Sequence, residues 1–234
     1  MNEVVELRQY TLRPGGRDVL IRLFDREFVE SQEAEGMAIL GQFRDLDHPD
    51  RFVWLRGFAD ISGRAAALGR FYGGPVWKAH SAEANATMLD IDDVLLLRPA
   101  SPAHDFPRAD RHPKADRRTP PDHAGSLVLG TIHHRDRPFD DEFLDAFERR
   151  VRPALVETGA TPLACLWTEY AENDFPALPV RTGEHVFVWF ARFAGADALA
   201  DHLRRDGTGP ALAELGVTRT HRLRLAPTDR SMLR

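Results

Sequence analysis

Three residues that could do chemistry together stand at alternate positions near the N-terminus. Glu6, Arg8 and Tyr10 alternate with Val5 and Leu7 in the segment VVELRQYTL. Alternate residues of a strand point to the same side, so an acid, a base and a phenol would share one face. Such a group can bind an anionic ligand or transfer protons. The alternative is a structural ion pair, which is the usual role of paired charges.

Histidines provide further candidates. His133 holds in a second, related segment the position that Tyr10 holds in the first, and His134 follows it. A histidine at the mouth of a pocket is suited to be a general base, because its pKa lies near neutrality. Adjacent strand residues point to opposite faces, so only one of the two histidines faces the pocket, and they do not chelate one metal ion. The alternative for His133 is an exposed position at a strand end.

Haem ligation is a weaker hypothesis for three histidines. His80 lies on an apolar helix face beside Trp77, and His221 shares a strand face with leucines. Either of them, or His133, could ligate haem iron. A lone histidine on an apolar face is more often a core or interface residue. We expect His202 to be exposed.

Glu169 lies at the end of a predicted strand, just before a long loop over residues 171–183. Functional residues often lie on such loops, so Glu169 is a catalytic candidate. The loop either covers the pocket as a lid or clasps the other half of the chain. Its apolar Phe175, Leu178 and Val180 favour the clasp, because these side chains require burial.

The sequence carries none of the common motifs for metals, nucleotides or hydrolytic nucleophiles. Asp90, Asp92 and Asp93 lack the spacing and the glycine of a calcium loop, and a turn explains them. Cys165 lies in an apolar strand and is predicted to be a small core residue rather than a nucleophile. We predict no metal site and no cofactor.

The composition is that of a globular protein with a substantial core. The 234 residues are 43% hydrophobic and 29% charged, with a net charge of −5. A nucleic-acid or membrane partner needs a basic surface, so neither is expected. One cysteine permits no intrachain disulfide, and the N-terminal segment lacks the pattern of a signal peptide. We expect a cytoplasmic protein that binds a small molecule and could form a homo-oligomer.

An internal repeat gives the predicted architecture. FVWLRGFAD over residues 52–60 returns as FVWFARFAG over residues 187–195, and Gly74-Pro75 returns as Gly209-Pro210 with the same offset. Each copy has the periodicity and turn signals of the order β-α-β-β-α-β, which is that of a ferredoxin-like unit.

The predicted elements follow this repeat. Strands are predicted over residues 4–12, 38–45, 51–58 and 94–98, and again over 127–133, 163–170, 185–193 and 219–225. Helices are predicted over residues 18–35, 62–84, 140–157 and 196–215, and the second of these is expected to be interrupted near Gly73-Gly74-Pro75. The fold class is α+β, with one unit over residues 1–99, a Pro-rich linker over 100–124 and a second unit over 125–234.

The third strand of each copy is apolar on both faces. Trp54 lies on one face and Val53 and Leu55 on the other, and Trp189 is the counterpart of Trp54. A sheet with helices on one side and water on the other should alternate apolar and polar residues. We therefore predict that the two sheets face each other around a pocket, with Trp54 and Trp189 as apolar walls. Glu6, Trp77 and His80 are further predicted pocket residues. We expect Val5 and Leu7 to face the helices, and Glu6, Arg8 and Tyr10 to point into the interior if the sheets close into a barrel. The pairing could occur within one chain or between two.

Several segments are similar to those of a known family. VELRQYTLRPGGRDVLIRLF, FVWLRGFAD, GGPVW and VLLLRPA in the first copy resemble the NIPSNAP domain, and NDFPALPVRTGEHVFVWFARF resembles the second domain of bacterial NIPSNAP proteins. The resemblance implies a dimeric α/β-barrel fold with no single assigned reaction. The wider superfamily includes cofactor-free oxygenases, small cyclases, haem enzymes and binding proteins, so the fold does not give the function.

The leading functional hypothesis is a cofactor-independent enzyme acting on a small apolar or aromatic molecule in the barrel pocket. Arg8, Tyr10, His133 and Glu169 would position that molecule or transfer protons. A non-catalytic binding or interaction module is the alternative, and a haem protein is a further alternative.

Overall fold

The computed structural model describes residues 2–107, here called the first half, and residues 125–234, the second half. The strands of the first half are β1 Val4–Leu12, β2 Ala38–Asp45, β3 Arg51–Phe58, β4 Met88–Asp90 and β5 Val94–Pro99. Those of the second half are β6 Leu127–Arg135, β7 Pro162–Thr168, β8 His185–Phe193 and β9 Arg219–Pro227. Most predicted strand bounds are confirmed to within two residues, and the short β4 was not predicted.

The helices lie between these strands in both halves. The first half contains α1 Arg17–Leu23, a π-helical turn Phe24–Phe28, α2 Val29–Glu33, α3 Ile61–Gly73 and α4 Pro75–Thr87, and a 3₁₀ turn at Pro102–His104. The second half contains α5 Asp141–Ala146, a π-helical turn Phe147–Val151, α6 Arg152–Glu157, α7 Ala196–Arg205 and α8 Gly209–Glu214.

Local sequence explains where several helices begin and end. Asp60 caps α3 by accepting a hydrogen bond from the backbone N–H of Gly63, and Asp140 caps α5 in the same way from Phe143. Pro75 occupies the first turn of α4, where its missing N–H costs no hydrogen bond. The expected interruption of the helical segment over residues 62–84 is confirmed: Gly74 adopts an extended conformation, which separates α3 from α4.

The strands form one closed, antiparallel barrel. In the described part of the chain, nine strands make a single sheet. Eight of them close on themselves in the order β1-β3-β2-β9-β6-β8-β7-β5, with β4 attached to β1. The halves meet where β2 pairs with β9 and where β5 pairs with β7. Closure pairs strand edges that each half would otherwise expose. The pairing that the sequence left open thus occurs within one chain.

The barrel interior is filled by aliphatic and phenylalanine side chains from all eight strands. Examples from the strands are Val5, Leu7, Leu40, Phe43, Val53, Leu55, Leu95, Leu97, Val128, Ile132, Ala164, Leu166, Val186, Val188, Phe190, Leu223 and Leu225. Leu233, near the C-terminus, packs among them.

The predicted sheet-on-sheet arrangement is wrong in one respect. Both faces of β3 and β8 are buried, as expected, but the two sheets join edge to edge and do not stack with their aromatic faces together. Trp54 and Trp189 face the helices of their own halves. The Val53 and Leu55 face is the one that lines the barrel.

The predicted linker is partly folded. Phe106 is buried in the barrel interior next to Phe190, and the backbone N–H of Ala100 donates a hydrogen bond to the carbonyl of Cys165. The remainder of the predicted linker, residues 108–124, lies outside the described residues. Among the helices that are described, none has the length and apolar character needed to cross a bilayer.

Candidate functional site

The polar face of β1 points toward the helices of the first half and not into the barrel. Val5 and Leu7 pack in the barrel interior, so Glu6, Arg8 and Tyr10 face the opposite way, between the sheet and the helices. The prediction that these three residues line the barrel interior is therefore wrong. Both faces of β1 are buried, so its own sequence does not indicate which face meets the helices.

Glu6 is the centre of a buried ionic cluster. Its carboxylate accepts hydrogen bonds from Arg8 Nη1 at 2.7 Å, from Arg56 Nε at 2.7 Å and from Arg64 Nε at 2.6 Å. All four side chains are fully buried. Arg56 lies opposite Glu6 on β3, and Arg64 reaches it from the first turn of α3. We call these four residues the arginine cluster.

The opposite charges of this cluster keep one another ionised. Burial by itself raises the pKa of Glu6, but the positive charges of Arg56, Arg8 and Arg64 outweigh burial and hold that pKa well below its usual range. Burial lowers the pKa of Arg8, and its neighbours Tyr10 and Glu6 more than reverse this effect. Glu6 is therefore ionised and Arg8 charged at any physiological pH.

Tyr10 connects the cluster to an aromatic cavity. Arg8 Nε donates a hydrogen bond of 2.9 Å to the Tyr10 hydroxyl oxygen. Burial raises the pKa of Tyr10 above its ordinary value, so the phenol is neutral. Its oxygen accepts from Arg8, which leaves the hydroxyl hydrogen to be donated elsewhere.

The cavity lies between the sheet and the helices, beside Tyr10. Its volume is about 30 Å³, which is room for roughly one or two water molecules. Trp54, whose ring meets that of Tyr10 edge to face at 5.9 Å, forms one wall, and Trp77 forms another. The full lining is Tyr10, Leu20, Phe24, Phe28, Gln32, Trp54, Phe71, Tyr72, Trp77 and Met88. Of the predicted site, the structure thus brings together Glu6, Arg8, Tyr10, Trp54 and Trp77.

The long loop between β7 and β8 crosses from the second half and packs against this region. Arg64 Nη1 donates to Asn173 Oδ1 at 3.0 Å and to Asp174 Oδ1 at 2.7 Å. Phe175 stacks on Tyr72 with the ring centroids 6.2 Å apart, and Leu178 is buried in the same apolar cluster. The loop has the contacts expected of a clasp, and the residues that make it a clasp also cover the arginine cluster.

His133 lies in the second half, apart from this site. It pairs with Phe187 on the helix side of β8, whereas its neighbour His134 pairs with Val186 on the barrel side. The expected opposition of the two histidines is observed, but His133 is not the one at the barrel mouth. His134 is, and its ring lies near Arg219.

The environment of His133 makes it a poor general base. Trp189 Nε1 donates a hydrogen bond of 3.0 Å to His133 Nε2, so the proton of the neutral ring is on Nδ1, which faces Thr220 Oγ1 at 2.9 Å. Burial, with a smaller effect from the charge of Arg222, lowers the pKa of His133 to about 3. Both ring nitrogens are engaged, so His133 does not fit as a haem ligand either.

The other candidate histidines are dispersed over the described residues. His80 is half-buried on α4, with Nε2 3.7 Å from Glu27, and His221 is exposed on β9. His202 was expected to be exposed, but it is fully buried and its Nδ1 contacts Thr158 Oγ1 at 2.8 Å. The expectation failed because α7 turns this residue toward β8, where it packs against Phe193.

Glu169 also lies outside the aromatic cavity. Its carboxylate accepts a hydrogen bond from the backbone N–H of Ala171 and lines a separate open groove of about 510 Å³ beside the loop. Tyr170 and His185 share that groove, joined by a 2.7 Å hydrogen bond. The four predicted catalytic residues therefore do not form one site.

Cys165 is a buried core residue, as predicted, and burial raises the pKa of its thiol to about 12. Its Sγ lies with His104 and Glu148 in a group whose candidate ligand atoms are within 4.8 Å of one another. Arg152 contacts both Glu148 and Cys165, so a positive charge already occupies the space beside these atoms. This arrangement disfavours a metal cation.

Sequence reasoning missed Arg56, Arg64, Gln32 and Tyr72. Arg56 carried a usable signal, because it lies two residues after Trp54 on a strand face that is otherwise aromatic. An arginine there must be paired when the face is buried. Arg64 gave no comparable signal, because one arginine in the first turn of a helix is ordinarily exposed.

The fold and the site define a class of protein: an eight-stranded antiparallel α/β barrel made from one chain, with a polar cluster under the helices of its first half. Residues 5–102, which make up most of the first half of the chain, match the NIPSNAP family model. No curated protein matches the sequence.

Solved structures share the fold over the whole chain at low sequence identity. A provisionally named monooxygenase from Lactobacillus acidophilus is 14% identical, with a TM-score of 0.57 over 100% of this chain and 97% of its own. Another from Fusobacterium nucleatum is 8% identical, with a TM-score of 0.58 over 97% and 92%. An anthrone oxidase-like protein is 11% identical, with a TM-score of 0.52 over 97% and 92%. These likenesses establish the barrel fold alone.

Proposed function

We propose that the chain binds a small, flat, largely apolar molecule in the aromatic cavity of the first half, with Tyr10 donating a hydrogen bond to an oxygen of that molecule. The observation that carries this proposal is the Tyr10 hydroxyl. It is buried, it accepts from a guanidinium, and it lines a cavity whose other walls are mostly aromatic. Ligand pockets are typically apolar with a few well-placed polar groups.

We also propose that the two halves are copies of one ferredoxin-like unit. Their strand orders support this, being β5-β1-β3-β2 in the first half and β9-β6-β8-β7 in the second. The π-helical turns fall at corresponding places, Phe24–Phe28 and Phe147–Val151. The two helix–sheet interfaces are then equivalent, and the aromatic cavity is a feature of the first.

We propose that any cofactor-independent catalysis uses only Arg8 and Tyr10. Burial raises the pKa of Tyr10, and the positive charge of Arg8 offsets part of this rise by stabilising the phenolate that remains when Tyr10 gives its proton to a substrate oxygen. Two whole-chain structural neighbours are named for oxidation, a monooxygenase and an anthrone oxidase-like protein. In such a reaction here, dioxygen would be the oxidant that accepts the electrons, and Arg8 and Tyr10 would transfer only the proton. His133 and Glu169 have no part in this proposal.

A structural or interaction module is the second candidate function. It is favoured by the volume of about 30 Å³, which admits no ligand larger than water unless the loop or the helices move. The two candidates differ in one measurable property, the saturable binding of a small aromatic molecule.

Phenol is the probe that separates these candidates. We expect isothermal titration calorimetry to show saturable binding of phenol, weakened about threefold to tenfold in Tyr10→Phe by the loss of one hydrogen bond. Tyr170→Phe is the matched control, because Tyr170 is 55% exposed and lines no part of the cavity. Absence of saturable binding, or equal affinity in Tyr10→Phe and the wild type, would refute the proposal.

A further inference from the structure

We propose that Arg8, Arg56 and Arg64 form the recognition site for a carboxylate on the molecule that the aromatic cavity binds. This inference rests on the proposed function and deepens it by giving the ligand class, an aromatic carboxylate.

The cluster holds more positive than negative charge in a dry interior. Three fully buried guanidinium groups surround one buried carboxylate, that of Glu6. Asp174 adds a second negative charge against Arg64, but its side chain is 28% exposed. An excess of buried charge is costly unless an anion balances it.

The unused donors belong to all three arginines. Each guanidinium donates through Nε and Nη1 to groups of the cluster or its neighbours. The three Nη2 atoms are buried, and none of the described residues supplies an acceptor to them. A carboxylate offers two oxygens with about four acceptor positions, which suits several N–H donors at one place.

The second half demonstrates that this fold does not need the charges. Leu129 faces Ala191 there as Glu6 faces Arg56 in the first half, and Thr131 faces Trp189 as Arg8 faces Trp54. The counterpart of Arg64, at the same offset of 135 as the repeat, is the buried Leu199. Small and apolar residues fill these places. The arginine cluster is therefore an addition to the first half and not a requirement of its packing.

The cluster adjoins the aromatic cavity. Arg8 Nε bonds to Tyr10, and Arg56 Nη1 donates to Gln32 Oε1 at 3.1 Å, and both acceptors belong to residues of the cavity wall. The guanidinium carbons of Arg8 and Arg56 lie 5.6 and 5.0 Å from the ring centre of Trp54. A ligand with its ring among these aromatic side chains would have its carboxylate beside the guanidinium groups.

Asp174 on the clasping loop competes for the same charge. Its carboxylate accepts a hydrogen bond from Arg64 Nη1, so it already neutralises part of the positive charge that would attract an incoming carboxylate to the free Nη2 donors. Removing the charge of Asp174 while keeping its shape should favour the external anion.

Benzoate and phenol, compared by isothermal titration calorimetry, test the inference separately from the proposed function. We expect benzoate to bind the wild type at least about tenfold more tightly than phenol. Arg8→Met should abolish that preference while phenol still binds. Arg135→Met is the matched control, since Arg135 is a buried arginine of the second half and should leave the preference intact.

The other outcomes are equally decisive. Phenol binding without a preference for benzoate overturns the carboxylate site and leaves the proposed function standing, and failure of both ligands to bind overturns both. If chloride or phosphate at the same concentration raises the melting temperature as much as benzoate does, the cluster takes inorganic anions only and the inference fails.

The loop provides a test that does not depend on the folding of an arginine variant. Asp174→Asn should tighten benzoate binding severalfold and leave phenol binding unchanged. Asp93→Asn is its control, because Asp93 holds the same loop through Arg181, 3.0 Å away, and its carboxylate does not touch the cluster. Equal benzoate affinities in Asp174→Asn, Asp93→Asn and the wild type would contradict the inference.

Discussion

Glu6 is the carboxylate that three buried guanidinium groups share, and its removal leaves their charges without a partner. We predict that Glu6→Gln lowers the free energy of unfolding by about 3–5 kcal/mol at pH 7. Because the folded pKa of Glu6 is depressed, its stabilising effect is complete above the unfolded pKa near 4.5 and is lost as the pH falls below it.

The measurement is urea unfolding of the wild type and Glu6→Gln at pH 7 and pH 3. The difference in stability between the two proteins should be large at pH 7 and smaller at pH 3. A difference that does not depend on pH would contradict the assignment of that stability to the ionised carboxylate.

His133 has the opposite chemistry, because it is buried as a neutral ring. Burial lowers its pKa from 6.5 to about 3. Between these two pH values, His133 therefore binds a proton in the unfolded chain but not in the folded chain. We predict that stability falls as the pH drops below 6.5, by up to about 1.4 kcal/mol per pH unit from this residue. His133→Gln should reduce this slope between pH 6.5 and pH 4 in denaturant titrations. An unchanged slope would assign the pH dependence to other groups.

For strand β1, the sequence predicted correctly which residues share a face but not which face points into the barrel. The alternation of Glu6, Arg8 and Tyr10 with Val5 and Leu7 is visible in the sequence, and it was confirmed. The sequence does not state which face the helices cover, because both faces are buried. Which of the two buried faces meets the helices depends on the side of the sheet on which the next helix packs.

Strand β2 needs a glycine where an aromatic ring lies over its backbone. A Cβ on Gly41 would stand 2.5 Å from Cζ of Phe43, inside the packed barrel. We predict that Gly41→Ala costs about 1–3 kcal/mol of stability by overpacking, measured by urea unfolding.

Gly69→Ala is the matched control for this prediction. Gly69 lies within α3, and a Cβ there would meet nothing within 4 Å. Alanine at an exposed helical position should stabilise the protein by roughly 0.5–1 kcal/mol. Equal effects of the two substitutions would show that the ring of Phe43 moves aside easily.

The whole molecule depends on the two seams between its halves, β2 with β9 and β5 with β7. Each half alone would expose two strand edges and the apolar face that now lines the barrel. We predict that chains covering residues 1–107 and 125–234 form a one-to-one complex when produced together, and that each alone self-associates. Size-exclusion chromatography with light scattering measures this, and a folded monomer of either half would contradict it.

The sequence by itself determined the strand bounds and the burial of both faces of β3 and β8, because residue type, spacing and periodicity are local properties. Only the tertiary structure decided that the sheets close edge to edge, and that Arg56 and Arg64 join Glu6. Those contacts join residues 50 and 58 positions apart, and Asp174 reaches Arg64 from 110 positions away. Such contacts follow from the path of the chain around the barrel, which no local pattern encodes.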